Sequence, residues 1–307
     1  MEAIEVENLV KIYGKKNSAV HALKGVSFKV REGEIYGFLG PNGAGKTTTI
    51  KIIATILNPT SGSAYIYGKD VVKEKKEVAK LIGYMPENPG FYEDMSAIDN
   101  LKFYAGFYGI RGENFKKKAA EILQMVGLSP DVWKRKVKSY SHGMRKRLAL
   151  AQCLIHDPPI VILDEPSGGL DPIGMYEFRK MIKKLKEDGK TVFLSSHILG
   201  EVEKICDTVG IINKGKIVAG GKLEDLIRIG GSIEVEVCLR GKVTIPKDLD
   251  FQWKDEKRGI LKIYAKDDEI SDIVRTLIDS GNEIYYVYPK YPTLEEIFMR
   301  FVGGGKG

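Results

Sequence analysis

Residues Gly40-Pro41-Asn42-Gly43-Ala44-Gly45-Lys46-Thr47 fit the pattern GxxxxGK[ST], and Thr48 follows directly. Each residue type has a task if the ligand carries a chain of phosphates. Glycines let successive main-chain N–H groups curl inward onto phosphate oxygens. A helix beginning near Lys46 adds the positive end of its dipole. Lys46 brings a mobile cation to the β- and γ-phosphates, and the Thr47 hydroxyl suits Mg2+. Downstream, the apolar run Ile160-Val161-Ile162-Leu163 ends in Asp164-Glu165. Asp164 is placed to hold Mg2+, directly or through water, and Glu165 to polarise an attacking water as a general base. His197 closes the run TVFLSS and is expected to touch the γ-phosphate or position that water. Ser141 and Gly143 open a helix whose apolar stripe is Met144, Leu148, Ala151 and Ile155. Ser141 is a good N-cap, Gly143 permits close backbone approach, and a capped helix start attracts anions. Taken singly, the Asp-Glu pair fits a solvated strand end as well as a metal site, and the histidine fits a structural role better. The glycine-rich loop upstream is what draws them into one reading.

These residues need elements to hold them. EIYGFLG reads as a buried strand running into the glycine-rich loop, with TTTIKIIATIL behind it as a helix. Further buried strands are expected at 81–85, 160–164 and 191–196, and helices at 97–109, 113–126, 143–155 and 173–187. Short apolar strands alternating with helices predict a layered α/β fold. From about 90 to 157 the pattern is mostly helical, which predicts a helical insert between strands of that core. Ile229-Gly230-Gly231-Ser232 reads as a hinge. Beyond it SIEVEVCL, GILKIYA and EIYYVY read as strands, with EISDIVRTLIDS as an amphipathic helix. The expected organisation is therefore 1–229 and a small α+β domain at 230–307, whose GGGKG end is low in complexity.

Length and composition bound the answer. With 307 residues, 43% apolar and 29% charged, the chain is neither disordered nor fibrous. Its three cysteines, Cys153, Cys206 and Cys238, are scattered, and with four histidines they make no metal-binding pattern. MEAIEVENLV carries acidic residues where a signal peptide needs basic ones. No apolar run approaches the length of a bilayer span, so a membrane role is expected to require a separate subunit. The net charge of +7 divides into +9 for residues 1–229 and −2 for 230–307.

The ordered set GPNGAGKTT, YSHGM-RKR, IVILDEP, SGGLD and SSH resembles the ATP-binding subunit of an ABC transporter over roughly residues 1–228. That resemblance implies a P-loop ABC ATPase core with an inserted helical subdomain, ATP and Mg2+ as ligands, and a head-to-tail dimer. Ser141 and Gly143 would belong to the signature motif and meet the γ-phosphate on a second subunit's P-loop. Tyr13 would stack on adenine beside Val20, Asp171 would make a dimer contact, and Lys46, Glu165 and His197 would be catalytic. Two departures stand out. The family's Q-loop glutamine, which reaches the metal and the attacking water, is Glu87 here; a carboxylate can still ligate the metal. In the signature, His142 replaces a glycine and Met144 a glutamine. The ending Pro292-Thr293-Leu294-Glu295-Glu296-Ile297-Phe298 resembles that of the accessory domain on drug- and polysaccharide-exporter ATPases.

The resemblance further implies an integral membrane permease as partner, export of a substrate, and a place at the cytoplasmic face of the cell membrane. The second ATP-binding subunit would be an identical or a different chain. Soluble ABC-type ATPases that act on ribosomes or DNA are the alternative. The ribosome kind usually carries two cassettes, whereas this chain has one. The DNA kind inserts a very long coiled coil, whereas Gly45 and Ser141 are only 96 positions apart without sustained heptads. Nucleic acid is therefore not expected as a partner. The basic clusters Lys116-Lys117-Lys118, Lys134-Arg135-Lys136-Lys138 and Arg145-Lys146-Arg147 suit a surface facing an anionic leaflet, or simply a solvated helix face.

Overall fold

The computed structural model describes residues 1–14, 18–228, 233–241, 243–246 and 249–302. The chain divides into two compact units, Met1–Gly221 and Lys222–Gly307. The break precedes the expected 229/230 boundary because the short helix Leu223–Arg228 contacts the helix Leu294–Val302, and Leu223, Leu226, Leu294 and Ile297 are all buried. The expected hinge at 229–232 and the GGGKG end lie outside the described residues.

The first unit is built on a six-stranded sheet. Strand Ile35–Leu39 is buried at every position and lies between Thr208–Asn213 and Thr191–Ser196, parallel to both. Ile160–Leu163 pairs in parallel with Thr191–Ser196, Ile82–Met85 pairs in parallel with Ile160–Leu163, and Lys216–Lys222 forms the opposite edge. The central runs are apolar without alternation because both faces are covered. A second, four-stranded sheet has the order Val20–Arg31, Glu2–Tyr13, Ser61–Ile66, Lys69–Asp70, with antiparallel pairing throughout.

The core of this unit joins the two sheets. Phe28 comes from the antiparallel sheet, Tyr36 and Phe38 from the strand that feeds the glycine-rich loop, and Phe193 from its neighbour. Tyr36 and Phe193 stack with ring centroids 5.4 Å apart, and Phe38 and Phe193 lie 5.5 Å apart. Such ring pairs each contribute about 0.5–1.5 kcal/mol beyond area burial. Truncating the fully buried Phe193 to Ala would cost about 3–5 kcal/mol, and would loosen the strand ending next to His197.

The helical insert leaves the sheet after Ile82–Met85 and returns in the adjoining strand, with Ile82 opposite Ile160 and Met85 opposite Leu163. It holds the helices Ala97–Phe107, Gly112–Met125 and His142–Leu154. The first ends earlier than the expected 109, because Gly109 turns left-handed at φ 70°. Strands Thr208–Asn213 and Lys216–Lys222 and the helix Lys75–Leu81 were not expected from the sequence pattern. The unit from Lys222 onward carries an antiparallel sheet of order Gln252–Asp255, Ile260–Ala265, Ile233–Arg240, Glu283–Lys290, with the helix Ile270–Asp279 before its last strand. Val235, Val237, Leu261, Ile263 and Leu277 form its core.

Candidate active site

Three neighbouring strands deliver the chemistry at their carboxyl ends, where open α/β sheets bind ligands. Ile35–Leu39 leads into Gly40–Thr47, Thr191–Ser196 into His197, and Ile160–Leu163 into Asp164-Glu165. Gly45 occupies the N-cap of helix Lys46–Ile53 at φ 116°. A Cβ there would lie 2.9 Å from the Ala22 carbonyl oxygen and 2.7 Å from Leu23, so only glycine lets the loop close onto its helix.

The side chains interlock. Lys46 is buried; its Nζ donates to the Gly40 carbonyl at 2.6 Å and lies 3.1 Å from Oε1 of Glu165. The other Glu165 oxygen lies 2.7 Å from Nδ1 of His197. Asp164 is buried beside them; its Oδ1 accepts from Ser195 Oγ at 2.7 Å and from Thr47 Oγ1 at 3.4 Å. Burial pushes the Asp164 carboxyl above the usual carboxylate range, against the two hydroxyl donors that favour its charged form. The main chain at Glu165 is left-handed at φ 48°, uncommon for a residue with a Cβ, and its N–H donates to Ser195 Oγ at 2.9 Å. Ser195 thus anchors both acidic residues. Nothing in its residue type announced this; its place two residues before His197 is the only hint in the sequence.

Asn42, Gly43, Gly45, Lys46, Thr47, Thr48, Glu87, Glu165 and His197 line one cavity. Ala44 faces away into the core, though its main chain belongs to the loop. Tyr13 and Val20 do not line the cavity but lie exposed on the adjoining sheet, where the Tyr13 hydroxyl comes within 3.4 Å of Thr48 Oγ1. The oxygen donors of Thr47, Asp164 and Glu87 suit a hard cation such as Mg2+. A loop of this shape, a buried lysine and a pair of carboxylates are equipped to bind a nucleoside triphosphate and to activate water beside its last phosphate.

The bacitracin transport ATP-binding protein BcrA of Bacillus licheniformis is 36% identical to this chain over 307 residues, covering 98% of each. The chain belongs to the ABC transporter ATP-binding proteins. A family model described as ABC transporter matches residues 23–168. The linearmycin resistance ATP-binding protein LnrL of Bacillus subtilis is 38% identical over 239 residues, 78% of this chain and 75% of that one. Among solved structures, the ATP-binding cassette MJ0796, dimeric and bound to ADP and Pi, is similar with a TM-score of 0.67 and 28% identity, over 72% of this chain and 98% of that one. As an ABC ATPase the chain binds nucleotide and hydrolyses ATP, and its α/β core is the ABC cassette fold.

Ser141, Gly143 and Asp171 of this ABC subunit lie apart from the P-loop cavity and together line another one. Ser141 caps its helix by accepting from the Met144 N–H at 3.2 Å, and Asp171 caps Pro172–Glu187 by accepting from the Gly174 N–H at 2.6 Å. His142 approaches the Gly168 carbonyl at 3.0 Å, and so ties the two motifs together.

Of the three basic clusters, only the last departs from a solvated or leaflet-facing surface. Lys146 is buried rather than exposed, Arg145 pairs with both oxygens of Glu93, and Arg147 pairs with Glu177. Lys136 and Lys138 both lie against Asp94. Successive side chains on a helix spread around its circumference, so Arg145, Lys146 and Arg147 do not share one face, whereas Lys116, Lys117, Lys134, Arg135, Lys136 and Lys138 are exposed.

Proposed function

We propose that this subunit binds Mg-ATP at its P-loop, hydrolyses it with Glu165 as general base, and thereby drives export through an integral membrane permease at the cytoplasmic face. The observation that carries the proposal is the Glu165 carboxylate held between Lys46 and His197, at 3.1 and 2.7 Å. One carboxylate reaches both the phosphate-binding cation and the imidazole, which is the place an attacking water needs. Lys46 and the loop N–H groups bind the β- and γ-phosphates, while Tyr13 stacks on the base beside Val20. Thr47 and Asp164 hold Mg2+ with Glu87 in reach, and the ion neutralises charge on the phosphates. Ser141 and Gly143 close on the nucleotide of a second ATP-binding subunit in a head-to-tail dimer, with Asp171 at the contact. Their separation from the P-loop cavity of the same chain supports that arrangement.

The permease is proposed to dock on the helical insert. Phe107 is 72% exposed, half-exposed Phe103 lies edge-to-face against it at 5.1 Å, and half-exposed Tyr92 lies edge-to-face against Phe103 at 4.9 Å. No helix among the described residues is long and apolar enough to cross a membrane, so transport by this protein calls for such a partner. The names of BcrA and LnrL, in bacitracin transport and linearmycin resistance, support the reading of this subunit as the motor of a transporter. The C-terminal unit shows no catalytic constellation among its described residues and is proposed to support dimerisation or regulation.

Glu165→Gln tests the proposal. The variant should retain ATP binding, lose turnover by about 100-fold or more, and accumulate as an ATP-bound dimer on size-exclusion chromatography. Near-normal steady-state hydrolysis would remove Glu165 as the base.

A further inference from the structure

Lys146 sits in the first turns of the helix His142–Leu154, only 3% exposed; it is absent from the residues lining the P-loop cavity and lies at the wall of the other one, with Ser141 and Gly143. Among the described residues its ammonium hydrogen-bonds two main-chain carbonyls, that of Glu87 at 2.8 Å and that of Glu165 at 3.4 Å. Burying an ammonium is costly, and a carboxylate partner is the usual compensation. Desolvation accordingly depresses the Lys146 pKa, and the fields of Glu87, Asp164 and Glu165 only partly offset it. An apolar side chain would fill the space without that cost, so packing alone does not account for a lysine here.

Its two partners are informative. They belong to the two segments that carry carboxylates into the cavity from opposite ends of the helical insert. Glu165 is also the residue held left-handed, at φ 48°. Such a backbone persists only where its surroundings over-determine it. Here the determinants are the Glu165 N–H bonded to Ser195 Oγ, and the Glu165 carbonyl accepting from the Gly168 N–H at 3.3 Å and from Lys146. The helix that carries Lys146 begins at the Ser141 cap.

We infer that Lys146 is a positioning residue that fixes the main chain of Glu87 and Glu165 from behind and ties both to the signature helix. Seating Ser141 and Gly143 on the partner subunit's nucleotide then bears, through one rigid helical turn, on this chain's own hydrolytic carboxylate. The inference rests on the proposed role of Glu165 and on the head-to-tail dimer.

The test compares Lys146→Met and Lys146→Arg in the full chain, with Glu165→Gln measured beside them. Lys146→Met should lower kcat by about tenfold or more, since small misplacements of a catalytic group are costly. Its KM, and the dissociation constant of a fluorescent ATP analogue, should stay within about twofold, because ground-state binding is untouched. Lys146→Arg keeps donors aimed at both carbonyls and should restore kcat to within about threefold of wild type. A Met variant with normal kcat per folded molecule, or with all its loss in KM, overturns the positioning role. So does an Arg variant that folds normally but is as slow as Met. If Lys146→Met does not fold, Lys146→Gln, which keeps one donor, is held to the same kcat-against-KM division. Normal turnover in Glu165→Gln overturns the base assignment instead, so the two failures are distinguishable.

Discussion

His197 holds Glu165 by a single contact, Nδ1 to Oε2 at 2.7 Å, while the other oxygen of that carboxylate stays on Lys46. The two residues end neighbouring parallel strands, so their spacing is set by the sheet and not by a mobile loop. In the proposed mechanism a γ-phosphate would take over Lys46, and the histidine would then be the contact that keeps the carboxylate oriented toward water.

His197→Ala should therefore act on turnover. We expect kcat for ATP hydrolysis to fall about 100-fold, the lower range for a general acid–base group, with KM within about threefold of wild type. Steady-state phosphate release at varied ATP measures both. A loss confined to KM would place His197 in ground-state nucleotide binding.

Ser195→Ala should weaken the proposed Mg2+ site without touching the residues proposed to hold the ion. The hydroxyl is buried, donates to Asp164 at 2.7 Å and accepts from the Glu165 N–H. Removing it leaves a buried carboxylate and a buried N–H short of a partner, which costs about 1–3 kcal/mol of stability. It also removes one of the donors that favour charged Asp164, so the carboxyl moves further above its usual range. The Mg2+ concentration for half-maximal ATPase activity should rise about tenfold, as for other partners of metal ligands. An unchanged Mg2+ dependence would separate Ser195 from the metal.

Much of this site is legible in the letters, for a physical reason. Gly40–Thr47, Asp164-Glu165 and His197 are short motifs attached to uniformly apolar strands, and such strands are confined to the buried centre of an α/β sheet. Their convergence follows from strand order alone. Ser195 and Lys146 are legible only as ordinary residues, because their roles depend on main-chain groups far away in sequence. The last basic cluster departs from a shared face for a related cause: a helix turns each successive side chain by about 100°, so Arg145, Lys146 and Arg147 point in three directions. Gln252–Asp255 escaped notice because its four residues, QWKD, carry little apolar pattern, and Lys216–Lys222 because two glycines cut short its Ile-Val-Ala run.

His156 gives the fold an acid-sensitive joint. Its ring stacks on Tyr108 with centroids 3.8 Å apart and its Nε2 meets the Ile82 carbonyl at 3.1 Å, joining the insert to the edge of the central sheet. Burial depresses its pKa from 6.5 to about 4, against the Ile82 carbonyl, which favours the charged ring. A depressed pKa means that the unfolded chain binds the proton first. The contribution is therefore complete above pH 6.5 and is lost as pH falls toward 4, by at most about 3 kcal/mol and less where solvent screens the ring. Denaturant unfolding of wild type and His156→Phe at several pH values checks this. The wild-type curve should be the steeper between pH 6.5 and 4, and equal slopes would contradict it.

The exposed rings of the insert should separate hydrolysis from coupling. Phe107 is 72% exposed at the end of helix Ala97–Phe107, and its neighbour Phe103 contacts both it and Tyr92, in the segment that follows Glu87. This cluster of exposed rings is the proposed permease contact, where large aromatic anchors would dominate the energetics. The double change Phe103→Ser and Phe107→Ser removes the rings without reaching the P-loop cavity. ATP hydrolysis by the isolated subunit should remain within about twofold, because no cavity residue is altered. Co-sedimentation with membrane vesicles from cells that make the complete transporter should weaken about tenfold or more, the loss expected when anchoring rings are removed. Unchanged sedimentation would move the docking face elsewhere on the cassette, and a parallel fall in basal ATPase activity would mean that the rings support the site and not the partner.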